Sequence, residues 1–191
     1  MISRIIFIKL GNIANKNNKI KGDTNMSKYL ILYRHGIAED KESVEEDDLR
    51  ALSVRGKNLL KKSVSGFKTM IDGYDNLRIF SSPTLRAKET AEMLALELEL
   101  DSPTYLEFLG TGSGVSRLRG LLKEIEPGEG AIVVGQQPYL SLWSQEISGT
   151  FLRFKKGTAA CFKFPDEELG ETKAELLWYL QTRGFVKIND K

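Results

Sequence analysis

The stretch Tyr29-Leu30-Ile31-Leu32-Tyr33-Arg34-His35-Gly36 decides the fold. Its first five residues form a continuous apolar run, which is typical of a central parallel strand buried on both faces. The strand then ends in Arg34, His35 and Gly36. Similar apolar runs at 77–80 and 131–134 are separated from it by helical patterns. This alternation predicts an α/β domain with a largely parallel sheet.

Cap residues and amphipathic patterns predict the helices. Ser53 is placed to cap a helix that runs to about Ile71. Ser82 and Pro83 form a helix start, with serine at the cap and proline at the first helical position. Further elements are two helices around 118–125 and 140–147 and a final pair of strands at 159–164 and 175–180.

The composition predicts one globular domain. Of the 191 residues, 41% are hydrophobic and 28% are charged, with a net charge of +2. Such a balance gives no general attraction for nucleic acid or for an anionic membrane, so an anion would have to bind at a local site. The single cysteine, Cys161, lies in an apolar run and gives no sign of an oxidising compartment, so we predict a cytoplasmic protein.

Residues 1–25 differ from the rest of the chain. A short apolar patch there is interrupted by Lys9 and followed by Asn/Lys-rich sequence, which fits neither a membrane span nor a secretory signal. We interpret 1–25 as a flexible extension before a domain at 26–191. Met26 directly precedes the first strand, and we hypothesise that translation begins there; an intact mass that starts at Met1 would refute this.

Three predicted strands end in groups suited to an anion. The first ends in Arg34-His35-Gly36, the second in Ser81-Ser82-Pro83 before Arg86, and the third in Gly135-Gln136-Gln137-Pro138. Because ligands of open α/β sheets bind at the carboxyl ends of the strands, these groups face one pocket if the strands are neighbours.

The residue types indicate phosphoryl chemistry. Two arginines give forked hydrogen bonds to phosphate oxygens, and Gly36 lets the backbone approach a ligand closely. His35 is the candidate nucleophile: one ring nitrogen attacks while a hydrogen bond holds the other. The arginine charges stabilise the transferring group, so no metal or cofactor is predicted.

Several motifs resemble the histidine phosphatase superfamily, in particular its SixA-type phosphohistidine phosphatases. Arg34-His35-Gly36 looks like the family signature, and Ser82-Pro83-Thr84-Leu85-Arg86-Ala87 is similar to its second motif. Other similar stretches are Arg50-Ala51-Leu52-Ser53 with Gly56, Val134-Gly135-Gln136-Gln137-Pro138 and Lys156-Gly157. Motifs in this order on these elements, from Met26 to Gln181, are specific.

The resemblance implies a fold and an activity. The fold is a three-layer α/β/α domain with a mostly parallel central sheet, as in phosphoglycerate mutase. The activity is that of a metal-independent phosphatase that forms a phosphohistidine intermediate, with a phosphorylated protein or a small phosphoester as substrate. Arg34, Gly36, Arg86 and Gln136 would bind phosphate. Glu107 lies near the place of the family's proton donor, although a plain surface glutamate explains it equally well.

One position departs from the family pattern. The fourth motif normally reads Gly-His-x-Pro, and this chain has Gln136 in place of the second catalytic histidine. An amide still donates a hydrogen bond but carries no charge, and losing one such donor commonly costs about a hundred- to a thousandfold in rate. The sequence therefore leaves open a slow phosphatase and an inactive protein that binds phosphorylated groups, and we favour the first.

Other interpretations of single features carry less weight. A Ser–His–Asp hydrolase needs only one histidine, but no Gly-x-Ser-x-Gly elbow exists. A phosphoglycerate mutase would rely on both histidines. The glycine loop 110–114 lacks a nucleotide-binding pattern and is interpreted as a rim over the pocket. The acidic run 39–48 is interpreted as a solvated loop, and Arg50 fits the mouth of the pocket or the surface equally well.

Overall fold

The structure is a computed structural model and describes residues 27–74, 76–112, 114–164 and 173–188. The predicted extension 1–25 and Met26 lie outside the described residues. Six strands form one sheet within these ranges: β1 (Lys28–Arg34), β2 (Leu77–Ser81), β3 (Thr104–Tyr105), β4 (Gly130–Gly135), β5 (Ala159–Phe164) and β6 (Glu175–Leu180).

The sheet is mostly parallel, as predicted. Its strand order is β3-β2-β4-β1-β5-β6. Strands β1 to β4 pair in parallel, while β5 pairs antiparallel with both β1 and β6. The predicted closing pair of strands is therefore confirmed, and it extends the parallel sheet on the side of β1.

Helices cover both faces of the sheet. They are α1 (Val54–Met70), α2 (Leu85–Leu98), α3 (Phe108–Thr111), α4 (Val115–Lys123), α5 (Tyr139–Ser148) and α6 (Thr182–Ile188). Alternate residues of β1 separate the two cores: Ile31 and Tyr33 pack with α1, α2 and α6, whereas Leu30 and Leu32 pack with α4 and α5. This gives the predicted three layers. None of the helices in these ranges has the length and hydrophobicity needed to cross a membrane.

The predicted N-cap of α1 is confirmed, whereas the predicted N-cap of α2 is wrong. Ser53 caps α1, and its side-chain oxygen accepts a hydrogen bond from the Gly56 N–H at 3.0 Å. In contrast, α2 is capped at Thr84 rather than Ser82. The Ser82 N–H donates to the Val134 carbonyl at 3.0 Å, so Ser82 is held in extended backbone beside β4 and the helix begins only after Pro83. Helix α6 was not predicted.

Close contact between α1 and α6 gives a stability prediction. A Cβ at Gly66 would overlap the carbonyl of Phe185, whose ring is fully buried. We expect Gly66→Ala to lower the free energy of unfolding by about 1–3 kcal/mol, because α6 has to shift. Gly120→Ala in α4 is the matched control: open space surrounds that position, so the substitution should stabilise by about 0.5–1 kcal/mol. Urea unfolding measures both, and equal effects would contradict this packing.

Candidate functional site

The three predicted strand ends lie side by side. Arg34 of β1 pairs with Gly135 of β4, and Ser81 of β2 pairs with Val134 of β4. The His35 N–H then donates to the Gly135 carbonyl at 3.0 Å, which extends this register one residue past the strand. Parallel pairing therefore brings the polar groups that follow each strand to one edge of the sheet.

His35 is buried and held in one tautomer. Its side chain is 4% exposed, and Nδ1 lies 2.8 Å from the Gly36 carbonyl oxygen. A carbonyl only accepts hydrogen bonds, so Nδ1 carries the proton and Nε2 keeps a lone pair. Burial lowers the pKa of His35 to about 3, the Gly36 hydrogen bond opposes this effect, and the cations Arg34, Arg86 and Lys156 add to it. The ring is therefore neutral near pH 7.

Gly36 supports this ring rather than offering a free N–H. Its N–H donates to Thr90 Oγ1 at 3.0 Å, and that hydroxyl donates to the Arg86 carbonyl at 2.7 Å. A Cβ at Gly36 would lie 3.1 Å from the Leu52 side chain. The visible role of Gly36 is thus to hold His35 and to pack closely against Leu52, and its predicted contact with phosphate stays a prediction.

Arg34 is anchored beside His35. Its Nη1 donates to the Phe154 carbonyl at 2.7 Å, while Nε is buried without a hydrogen-bond partner among the described residues. Burial, followed by the charge of Arg86, lowers the pKa of Arg34. The Gly157 N–H holds the backbone that follows β1 by donating to the carbonyls of Arg34 and His35, at 3.1 and 3.0 Å.

Lys156 adds a further cation to the site. It precedes Gly157, which has a φ of +71°, a conformation that suits glycine. Burial, then the charges of Arg34 and Arg50, lowers the pKa of Lys156. In the sequence, Lys156-Gly157 was noted only as similar to the SixA-type subgroup, and no role was predicted for Lys156.

Arg86 lies in the first turn of α2 and is 4% exposed. Its Nη2 donates to Gln136 Oε1 at 2.6 Å and pairs with Asp47 Oδ2 at 2.9 Å, and its Nη1 donates to the Asp47 carbonyl at 2.5 Å. The Nε atom is buried and has no partner within the described ranges. A buried guanidinium with an unused N–H is suited to an anion at this edge of the sheet.

Gln136 lies in the predicted place, but other protein groups engage its amide. Oε1 accepts from Arg86, and Nε2 donates to the Gly110 carbonyl at 3.0 Å. Arginine only donates and a carbonyl only accepts, so these partners fix the orientation of the amide. The glycine loop takes part in this contact: residues 108–111 form α3, and Gly110 binds Gln136 directly.

Asp47 is the site residue that sequence reasoning missed. Besides Arg86, its carboxylate pairs with Arg50 Nη2 at 2.8 Å, and Arg50 Nη1 donates to the Glu39 carbonyl at 3.2 Å. The acidic run, interpreted as a solvated loop, therefore contains a structured contact with the site. The i,i+3 spacing of Asp47 and Arg50 was the only available signal.

Glu107 stands apart from this network. The residue is exposed at the start of α3, and its carbonyl accepts from the Gly110 N–H at 2.9 Å. The Gly110 carbonyl in turn accepts from Gln136, so only the backbone of Glu107 is connected to the site, through Gly110. Its predicted role as proton donor stays a prediction.

The low pKa of His35 gives a pH-dependent stability. The unfolded chain takes up a proton near pH 6.5, whereas the folded chain does so only near pH 3. The contribution of His35 is therefore fully present above pH 6.5 and is lost as the pH falls towards 3, by at most about 1.4 kcal/mol per pH unit. In His35→Asn the amide replaces Nδ1–H without titrating. We expect the difference in unfolding free energy between wild type and variant to narrow from pH 7 to pH 4 in urea titrations; parallel pH profiles would contradict a buried neutral ring.

Comparisons with known proteins agree with this fold. No family model matches the chain. The solved structure of the protein histidine phosphatase SixA complexed with tungstate superposes with a TM-score of 0.69 at 20% identity, covering 81% of this chain and 97% of that one. Phosphoglycerate mutase from Plasmodium falciparum gives a TM-score of 0.58 at 16% identity, covering 80% of this chain and 89% of that one.

A curated relative is closer in sequence. An uncharacterized protein of Picosynechococcus sp. is 31% identical over 133 residues, which are 66% of this chain and 79% of the relative. The chain therefore belongs to the same family as this cyanobacterial protein, and its fold is that of SixA and the phosphoglycerate-mutase-like histidine phosphatases.

Proposed function

We propose that the protein is a phosphatase that transfers a phosphoryl group to His35 and then to water. The observation that carries this proposal is the buried, neutral His35 ring, which is fixed with Nδ1–H on the Gly36 carbonyl and Nε2 free to attack. Arg34 and Arg86 are close enough to this ring for their positive charges to lower its pKa. A nucleophile flanked by permanent cations is what phosphoryl transfer requires.

In the first step the Nε2 lone pair forms a bond to phosphorus as the bond from phosphorus to the leaving oxygen or nitrogen breaks. The guanidinium groups of Arg34 and Arg86 bind the phosphoryl oxygens, with their unpartnered Nε–H groups as available donors. The leaving group takes a proton, and Glu107 is the proposed donor. A phosphohistidine substrate has a good leaving group and needs little of this acid help.

In the second step water attacks phosphorus and the P–Nε2 bond breaks. Inorganic phosphate leaves, the proton of the attacking water passes to solvent, and His35 returns to its neutral form. The low pKa of His35 leaves Nε2 unprotonated for the attack in the first step, and it makes the imidazole a good leaving group in the second. The proposed substrates are a phosphohistidine protein or a small phosphomonoester, in the cytoplasm and without a metal ion.

One observation favours a second candidate function. The Gln136 amide is held by Arg86 and Gly110, so only its second Nε2–H is left for a phosphoryl group. A site with weak transition-state stabilisation but two arginines binds phosphorylated partners without turning them over. This binding function is the alternative to the phosphatase.

The test measures phosphate release from phosphoramidate and from an aryl phosphate, with and without a chelator. A phosphatase releases phosphate from at least one of them, and mass spectrometry of the quenched reaction finds a phosphorylated peptide that contains His35. Binding of phosphate without release and without a phosphorylated peptide would establish the alternative.

The ion pair between Asp47 and Arg86 gives a prediction for phosphate binding. An incoming dianion has to share Arg86 with the Asp47 carboxylate, which is half-exposed and therefore free to move. We expect Asp47→Asn to tighten the binding of inorganic phosphate about three- to tenfold in calorimetric titrations, since a like charge is removed from the site.

Asp48→Asn is the matched control for this variant. Asp48 carries the same charge in the same turn but has no ion pair within the described ranges, so its replacement should change affinity less. Weaker phosphate binding by Asp47→Asn would mean instead that the carboxylate is needed to position Arg86.

A further inference from the structure

Helix α1 has an unusual distribution of charge. It contains five basic residues, Arg55, Lys57, Lys61, Lys62 and Lys68, and no acidic residue. Two of them, Arg55 and Lys57, lie in its first turn, where the positive end of the helix dipole makes cations unfavourable. The helix dipole therefore does not favour this pattern of charge.

Two of these basic residues, Arg55 and Lys62, line a groove of about 480 Å³. The groove lies between α1 and α6, and its lining residues are Val54, Arg55, Asn58, Leu59, Lys62 and Arg183. Within the described ranges, none of its three cations forms an ion pair, in contrast to Lys57, which pairs with Glu89 at 2.6 Å. The groove thus holds three unneutralised charges around two aliphatic side chains.

The groove begins next to the candidate site. Leu59 lines both the groove and a smaller cavity, and Gly36 and Lys156 also line that smaller cavity. The first turn of α1 packs on Ile37, two residues after His35, because the Ser53 N–H donates to the Ile37 carbonyl at 3.0 Å. From Val54 to Lys62 the helix rises about 12 Å, the length of roughly four residues of extended chain.

We propose that this groove binds an acidic polypeptide segment next to the phosphorylated residue of a protein substrate. The inference rests on the proposed function and names its substrate class more narrowly. Charge complementarity to three unpaired cations selects acidic side chains, and Val54 and Leu59 offer apolar contact to such a segment. A nucleic acid fits less well, since none of the described residues that line the groove is aromatic and could stack on bases. The acidic run contacts α2 through Asp47, which pairs with Arg86, and does not line the groove.

The test compares two fluorescein-labelled peptides that carry a central phosphoserine as a stable phosphoryl group. Glutamates flank it in one peptide and serines in the other. By fluorescence anisotropy we expect the wild type to bind the glutamate peptide about tenfold more tightly, which corresponds to two or three weak ion pairs. The double variant Lys62→Glu/Arg183→Glu should lose this preference.

Lys61→Glu/Lys187→Glu is the matched control, because it makes the same charge change on the same two helices outside the groove. The control should keep most of the preference for the glutamate peptide, and the serine peptide should bind all proteins equally. Equal affinity of the wild type for both peptides would overturn the proposal. So would an equal loss in the control, or tighter groove-dependent binding of an oligothymidine of matched charge.

This test measures peptide binding, whereas the test of the proposed function measures phosphate release. The two proposals can therefore fail independently. Selective binding of the glutamate peptide together with no phosphate release from any substrate would refute the phosphatase and leave the acidic-segment groove in place. Release of phosphate from an aryl phosphate with no peptide selectivity would support the phosphatase and refute the acidic-segment groove.

Discussion

His35→Asn is expected to lower the turnover of an aryl phosphate by at least about a thousandfold, while the affinity for inorganic phosphate stays nearly unchanged. Asparagine places an N–H where Nδ1–H donates to the Gly36 carbonyl, so the local backbone keeps its hydrogen bond. What it lacks is the Nε2 lone pair. In the proposed mechanism Arg34 and Arg86 bind the anion without that lone pair, so binding and chemistry should separate.

Cys161→Ala is the control for the chain's only thiol. Cys161 is fully buried in β5, and burial raises the pKa of its thiol to about 12, so it is not a nucleophile near neutral pH. Its replacement should lower stability through a small cavity but leave kcat intact. Activity that survives in His35→Asn, in enzyme purified free of contaminating phosphatase, would show that the phosphoryl group is not transferred to His35.

The central strand was predictable because its signal is local. A five-residue apolar run buried on both faces requires helices on both sides, and the observed two cores share β1 in the expected way. The convergence of Arg34, Arg86 and Gln136 followed from a general property of parallel sheets, once the three strands were taken as neighbours. The convergence of these residues could therefore be predicted without knowing any individual side-chain contact.

The contacts of Asp47 were beyond such reasoning. They connect a side chain and a backbone carbonyl to Arg86, 39 residues further along the chain, and in the sequence only the i,i+3 spacing to Arg50 distinguishes Asp47 from Asp48. The same holds for Gln136: its position was predicted, whereas the partners of its amide depend on where Gly110 and Arg86 lie. The groove between α1 and α6 was also hidden, because α6 itself was not predicted.

Gln136→His is expected to raise the turnover of an aryl phosphate, by up to roughly a hundredfold, because a protonated imidazole supplies a charged donor to the phosphoryl oxygens. A neutral imidazole has one donor and one acceptor, so it serves Gly110 and Arg86 as the amide does and leaves nothing for substrate. Only the protonated ring has a second N–H to give. Arg86, which contacts this position, disfavours that form, so the gain should be larger at pH 5.5 than at pH 8.

This pH dependence separates catalysis from a merely structural effect. His35 stays neutral over the whole interval because its own pKa is about 3, so a rise towards acidic pH belongs to the new residue. Gln137→His is the matched control: it adds a histidine one position away, where the wild-type amide contacts Ser141 and the Phe154 carbonyl, and no gain is expected. Should Gln136→His show no gain at either pH while phosphate still binds, the missing donor is not what limits the site, and the binding function gains support over the slow phosphatase.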